Sequence, residues 1–122
     1  MKNQDTSENQ VKIVYLALGS NLGSKVMNIE KAKLLLLKNN VQIIQSSNYY
    51  ETYSWPNKNF PKYLNIIIKT QTKLNLQNLF TLIKSIEKKL GRKKNSLNYP
   101  RTCDIDIIDY NKKSFSTYIN NH

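Results

Sequence analysis

The stretch Asn98-Tyr99-Pro100-Arg101-Thr102-Cys103-Asp104-Ile105-Asp106-Ile107-Ile108-Asp109 decides how the rest of the chain is read. From Cys103 to Ile107 apolar and acidic residues alternate, which is the period of a half-buried strand. On such a strand Cys103, Ile105 and Ile107 point to one face. Asp104 and Asp106 point to the other, with Cα atoms about 6–7 Å apart. Two carboxylates that close repel, and a cation between them keeps both ionised. Magnesium suits the place, because it takes oxygen ligands and is held by one or two carboxylates plus substrate phosphates. A pair of such ions, about 3.5–4 Å apart, could be bridged by the two side chains. Arg101, three residues earlier, is placed to reach a phosphate oxygen or an aspartate. An edge strand with a solvated acidic face fits the same spacing, so pattern alone leaves both readings open.

Upstream, Arg92-Lys93-Lys94-Asn95-Ser96-Leu97 is a polar, basic loop. Before it, Leu76, Leu79, Phe80, Ile83, Ile86 and Leu90 mark the apolar stripe of a helix over about 76–90. Asn75 is its candidate cap and Gly91 its stop. Glu87 sits at the border of the stripe, either as a snorkelling surface side chain or as an acceptor held near the acidic strand. Tyr63 to Thr72, with Ile66-Ile67-Ile68 at its middle, reads as a strand. So does Val41 to Tyr50. The stretch from Glu51 to Lys62 joins them as a long irregular loop, and loops of that length in small domains are commonly functional.

Nearer the start, Lys12 to Leu18 reads as a central strand, apolar on both faces. Gly19-Ser20-Asn21-Leu22-Gly23-Ser24 is a turn with Ser24 as a candidate N-cap, and it lacks the Gly-Lys-Ser/Thr ending of a P-loop. The helix after it covers about 26–38, with Val26, Ile29, Ala32 and Leu36 as its stripe, and Asn39-Asn40 ends it. Past Tyr110, Asn111-Lys112-Lys113 reads as a turn, and nothing after it gives a signal. The order strand, helix, strand, strand, helix, strand predicts a ferredoxin-like α+β fold, with two helices on one face of a four-stranded antiparallel sheet.

The chain has 122 residues, the size of one domain. Residues 1–10 are polar and read as a disordered tail rather than a signal peptide, leaving 11–122 as the domain. No apolar run reaches the length of a membrane span. A single cysteine excludes an internal disulfide framework and any Cys-rich metal centre, and a reducing cytoplasm is the expected compartment. The net charge of +11 comes from 17 Lys against two Arg, beside 17 Asn. That is a chain-wide bias rather than a built basic patch. Arg92 and Arg101 are therefore the informative cations, since arginine suits bidentate phosphate recognition.

Four stretches together resemble the 6-hydroxymethyl-7,8-dihydropterin pyrophosphokinase family. They are Leu16-Ala17-Leu18-Gly19-Ser20-Asn21-Leu22-Gly23, then Tyr50-Glu51-Thr52 with Pro61-Lys62-Tyr63-Leu64-Asn65, then Ile86-Glu87 to Leu90-Gly91-Arg92, and Pro100-Arg101-Thr102-Cys103-Asp104-Ile105-Asp106-Ile107. The last, Pro-Arg-x-x-Asp-x-Asp, is the specific one. The resemblance implies transfer of diphosphate from ATP to the pterin hydroxymethyl group with release of AMP, in tetrahydrofolate biosynthesis. By the same resemblance Asp104 and Asp106 hold magnesium, two ions in all, and Arg92, Lys94 and Arg101 contact ATP phosphates, with Lys93 assisting. Glu87 lies near the nucleotide or the aspartates. Thr52, Tyr53, Tyr63 and Asn65 form the pterin side.

The chain departs from the family pattern at Asn98, where a tryptophan is frequent, and at Tyr53, where a proline is frequent. It also stops at His122, before the Pro-His and Arg-x-Phe segments with which family chains continue. A shortened domain that only binds nucleotide or a partner is thus a rival expectation. A monomer is expected, with self-association through an exposed sheet edge if the shortened end leaves one. An RNA-binding module would share the element order and the charge. Its third strand should carry Lys/Arg-Gly-aromatic-Gly/Ala-aromatic, whereas here it reads Tyr63-Leu64-Asn65-Ile66-Ile67-Ile68-Lys69, so no nucleic-acid partner is expected.

Overall fold

The computed structural model describes residues 10–54, 56–91 and 102–114. Within them the chain runs β1 (Lys12–Ser20), α1 (Lys25–Lys38), β2 (Val41–Ser46), β3 (Tyr50–Thr52), β4 (Tyr63–Thr72), α2 (Leu76–Lys89), β5 (Asp104–Tyr110) and β6 (Lys113–Ser114). One sheet holds them in the order β2-β4-β1-β5-β6, with β3 also paired to β4. Every pairing is antiparallel. The four longer strands and two helices make the expected ferredoxin-like α+β arrangement, and β1 and β4 are its central pair.

Alternation decides which face is covered. Val14, Leu16 and Leu18 of β1, Ile66 and Ile68 of β4, and Ile105 and Ile107 of β5 are buried. They form one core with Ile29, Ala32 and Leu36 of α1 and Leu79, Ile83 and Ile86 of α2. Both helices therefore lie on the same face, and burying side chains of this size contributes about 1.5–3 kcal/mol each before entropy is charged. The intervening residues, Tyr15, Ala17 and Gly19 of β1 with Asn65 and Ile67 of β4, occupy the opposite face.

Several boundaries differ from the sequence expectation. Among the described residues the sheet has six strands rather than four, because two short ones are added. The strand expected over 41–50 stops at Ser46. Ser47 then exchanges bonds with Ile67 through its backbone N–H (2.8 Å to the carbonyl) and its hydroxyl oxygen (2.9 Å from the amide). A side-chain oxygen thus replaces a carbonyl, the ladder is interrupted, and Tyr50–Thr52 resumes as β3. The irregular stretch therefore begins at Tyr53. Val26 and Phe80 lie at the rims of their helical stripes and are 51% and 48% exposed, not core. The Lys84 ammonium sits 5.1 Å from the centre of the Phe80 ring.

Ser24 takes the N-cap position of α1 without a side-chain bond, whereas the Asn75 side-chain Oδ1 accepts from Asn78 N at 2.7 Å at the start of α2. Gly91 ends α2 at φ +102°, a left-handed conformation that glycine adopts freely. Asn111 and Lys112 are both at positive φ, joining β5 to β6 by a two-residue hairpin turn. Asp109 Oδ1 accepts from Lys112 N at 2.8 Å and closes that turn.

Candidate active site

The site grows from the end of β1. Gly19 pairs with Asn65 on one side and Asp104 on the other, and Ala17 pairs with Ile67 and Asp106. Asp104 and Asp106 therefore stand on the face away from the helices, as the alternation predicts, while Cys103, Ile105 and Ile107 are buried. A one-residue shift between β1 and β5 at Tyr15/Leu16 leaves Ile108 as an extra residue. This bulge breaks the alternation after Ile107 and returns Tyr110 to the core side. There the Tyr110 hydroxyl donates to the Leu74 carbonyl at 2.7 Å.

On β4 the Tyr63 hydroxyl donates to Asp104 Oδ2 at 3.3 Å, linking the two sides of the site across β1. The Asn65 amide nitrogen donates to Thr52 Oγ1 (2.9 Å), to the Tyr50 carbonyl (3.2 Å) and, more weakly, to the Tyr63 carbonyl (3.4 Å). Those bonds orient the amide and place its oxygen above Gly19. A β-carbon built on Gly19 would lie 3.0 Å from Asn65 Oδ1 and 3.3 Å from Tyr63 Cδ1. The missing side chain is what lets both residues close over β1. Tyr53 is 66% exposed just past β3, with the Lys62 ammonium 4.8 Å from its ring centre. Thr52, Tyr63 and Asn65 are thus brought together on the face that carries the aspartates, whereas Tyr53 follows Thr52 with its ring under Lys62.

Glu87 is 2% exposed, so it is no snorkelling surface residue. Its Oε2 accepts from Ile105 N at 2.9 Å, and its Oε1 lies 3.5 Å from the Lys84 ammonium. Ile105 stands between the two aspartates, so the buried carboxylate holds the strand that carries them. Cys103, one residue before Asp104, is fully buried. Burial first, and then the Asp104, Glu87 and Asp106 carboxylates, push its thiol up to about 12.

Arg92, Lys93, Lys94 and Arg101, read from sequence as phosphate contacts, lie outside the described residues. Among the described residues no group of three or more His, Cys, Asp or Glu side chains forms a metal-binding cluster. No described helix is long and apolar enough to cross a membrane. Sequence reasoning passed over two polar residues that the structure buries, Asn21 and Ser54, at 1% and 4% exposure. Asn21 read only as part of a turn, and Ser54 carried no periodic signal at all. It also passed over Tyr49, whose hydroxyl donates to Glu30 Oε2 at 2.5 Å and ties the segment before β3 to α1.

Residues 15–120 match the family model described as 7,8-dihydro-6-hydroxymethylpterin-pyrophosphokinase (HPPK). A relative in Aquifex aeolicus, 2-amino-4-hydroxy-6-hydroxymethyldihydropteridine pyrophosphokinase, is 38% identical over 104 residues, covering 85% of this chain and 64% of the relative. The folate synthesis bifunctional protein of Arabidopsis thaliana is 38% identical over 100 residues, covering 81% of this chain and 21% of its own length. The chain thus spans less than two-thirds of the length of these curated relatives. The crystal structure of wild-type Plasmodium falciparum HPPK-DHPS superposes with a TM-score of 0.62 over 87% of this chain and 30% of that one. Its 18% identity speaks to the fold alone. Family match, relatives and architecture agree, and the chain belongs to the 7,8-dihydro-6-hydroxymethylpterin-pyrophosphokinase family.

Proposed function

We propose that the chain transfers diphosphate from ATP to 6-hydroxymethyl-7,8-dihydropterin and releases AMP, a step of tetrahydrofolate biosynthesis. The observation that carries this reading is the row Asn65, Gly19, Asp104, in which an amide and a carboxylate face the same side of the sheet with only a glycine between them. In the reaction the pterin hydroxyl oxygen bonds to the β-phosphorus of ATP. The bridge between the α- and β-phosphorus breaks, AMP leaves with the bridging oxygen, and the hydroxyl proton is lost. Catalysis of such a step is mainly alignment plus neutralisation of spread negative charge.

The residues divide by chemistry. Asn65 offers an amide, Thr52 a hydroxyl, and Tyr53 and Tyr63 ring faces to a flat, hydrogen-bonding pterin. Asp104 and Asp106 are the residues that would hold magnesium, a requirement that chelation tests, and two carboxylates completed by phosphate oxygens suit that ion. Bound there, two ions would supply the counter-charge that phosphate oxygens need. Arg92, Lys94 and Arg101 belong to the ATP phosphates in this reading. Glu87 acts behind the aspartates, by keeping β5 in place. A cytoplasmic, monomeric enzyme is the setting in which we place it.

The test is AMP release from ATP and magnesium with the pterin present, using Asp104→Ala/Asp106→Ala as control. Pterin-dependent AMP that falls at least about a thousandfold in the variant is expected, since the pair supplies most of the local charge balance. Both changes are on the open face, so circular dichroism and melting should stay near the parent. Full activity in the double variant would remove both aspartates from the mechanism. A folded parent chain that binds ATP and yields no AMP would favour a binding-only domain.

A further inference from the structure

The hairpin of β3 and β4 stops pairing through its backbone at Thr52 and Tyr63. Beyond them Tyr53 stays in contact with Lys62, and Ser54 with Pro61. Pro61 has no N–H and cannot return a ladder bond. Side chains take over. The Ser54 hydroxyl donates to the Pro61 carbonyl at 2.5 Å. The Asn21 amide donates to Ser54 Oγ at 2.9 Å and, at a longer 3.3 Å, to the same Pro61 carbonyl. One step nearer the sheet, the Lys25 ammonium donates to the Lys62 carbonyl at 2.7 Å. The neck of the loop is therefore fastened to the turn after β1 and to the first residue of α1.

We propose that Ser54 is a positioning residue for the pterin side of the site. Its hydroxyl, oriented by Asn21, closes the neck and so fixes Tyr53, next to it in the chain, and Tyr63, two residues beyond Pro61. This rests on the reading of those two tyrosines as pterin contacts. The hydroxyl is buried and uses both its donor and an acceptor lone pair, which a methyl group cannot replace. Without it Ser54 loses its bonds to Pro61 and Asn21, the exposed contact of Lys62 with the Tyr53 ring is left across the neck, and the freed segment has to be ordered anew at each binding event. The loss falls on the substrate that the neck flanks and spares the one held beside β5.

Ser54→Ala and Ser54→Thr test this by steady-state kinetics and by amide hydrogen exchange of substrate-free protein. Alanine is expected to raise the KM for the pterin about tenfold, while the KM for ATP and kcat move less than about twofold. Threonine keeps the hydroxyl and should restore most of the loss. Asn21→Ala should reproduce the alanine pattern. Exchange across 53–63 should quicken in both alanine variants and remain near the parent elsewhere. A folded Ser54→Ala protein with the parent pterin KM overturns the proposal, and so does an equal loss in both KM values and kcat. If the parent shows no pterin-dependent AMP, the pyrophosphokinase reading fails, and exchange alone judges the neck. Unchanged exchange across 53–63 in Ser54→Ala would then sink it.

Discussion

Glu87 shows how much a single buried group can hold. Its carboxylate accepts the Ile105 N–H, a donor with water excluded around it. Glu87→Ala should cost about 2–3 kcal/mol in urea denaturation, because it leaves that donor unsatisfied and opens a gap. Glu87→Gln keeps a carbonyl oxygen for the same bond and should stay within about 1 kcal/mol of the parent, the Lys84 partner being mostly solvated. Equal losses would place the value of Glu87 in its charge instead. Cys103 makes a second expectation. With its thiol pushed up from 9.0 to about 12, almost no thiolate exists at pH 8, and iodoacetamide should modify it only after unfolding. The sign for stability follows. The thiol's contribution is whole below 9.0, where folded and unfolded chains are both protonated, and it is lost as pH climbs from 9.0 towards 12. The two aspartates were legible in the sequence because alternation is a local property. Glu87 was only half legible, since a position on the rim of a helical stripe fits burial and exposure equally. Ser54 was not legible at all, because its partners are 33 and 7 residues away.

Among the elements, the two helices begin in contrasting ways. Asn75→Ala should destabilise the fold by about 1 kcal/mol, since its side chain accepts the Asn78 N–H. Ser24→Ala should cost a few tenths at most, because Ser24 makes no such bond. Paired urea curves check both, and equal shifts would contradict the difference in capping. Both caps could be located from sequence, but only the structure separates a cap by position from a cap by chemistry. Strand β4 was legible to the residue, its β-branched run bounded by Pro61 and Asn75. The break between β2 and β3 was not, because no glycine or proline marks it. It depends on which oxygen of Ser47 reaches Ile67.

For the molecule as a whole, strand order followed from element order, and the covered face followed from alternation. The extra strands did not, being two or three residues each and set by their neighbours. Charge acts at this scale too. With a net charge of +11, the anionic nucleotide of the proposed reaction would enter a favourable field, whereas the uncharged pterin would not. Raising ionic strength from about 0.05 to about 0.5 M should increase the KM for ATP several-fold and leave the pterin KM within about twofold. Equal sensitivity of both would mean that the lysines act through stability rather than through attraction.

Gly19 and Ala17 lie between two chemically different strands, and that arrangement amounts to a ruler. Asn65 and Asp104 are each one strand from Gly19, so their backbones stand about 9–10 Å apart, twice the spacing between hydrogen-bonded strands. That interval is quantised: it changes by a whole strand or hardly at all. Natural variation at this site cannot stretch the gap between the Asn65 amide and the Asp104 carboxylate. It is left to the segments outside the paired strands.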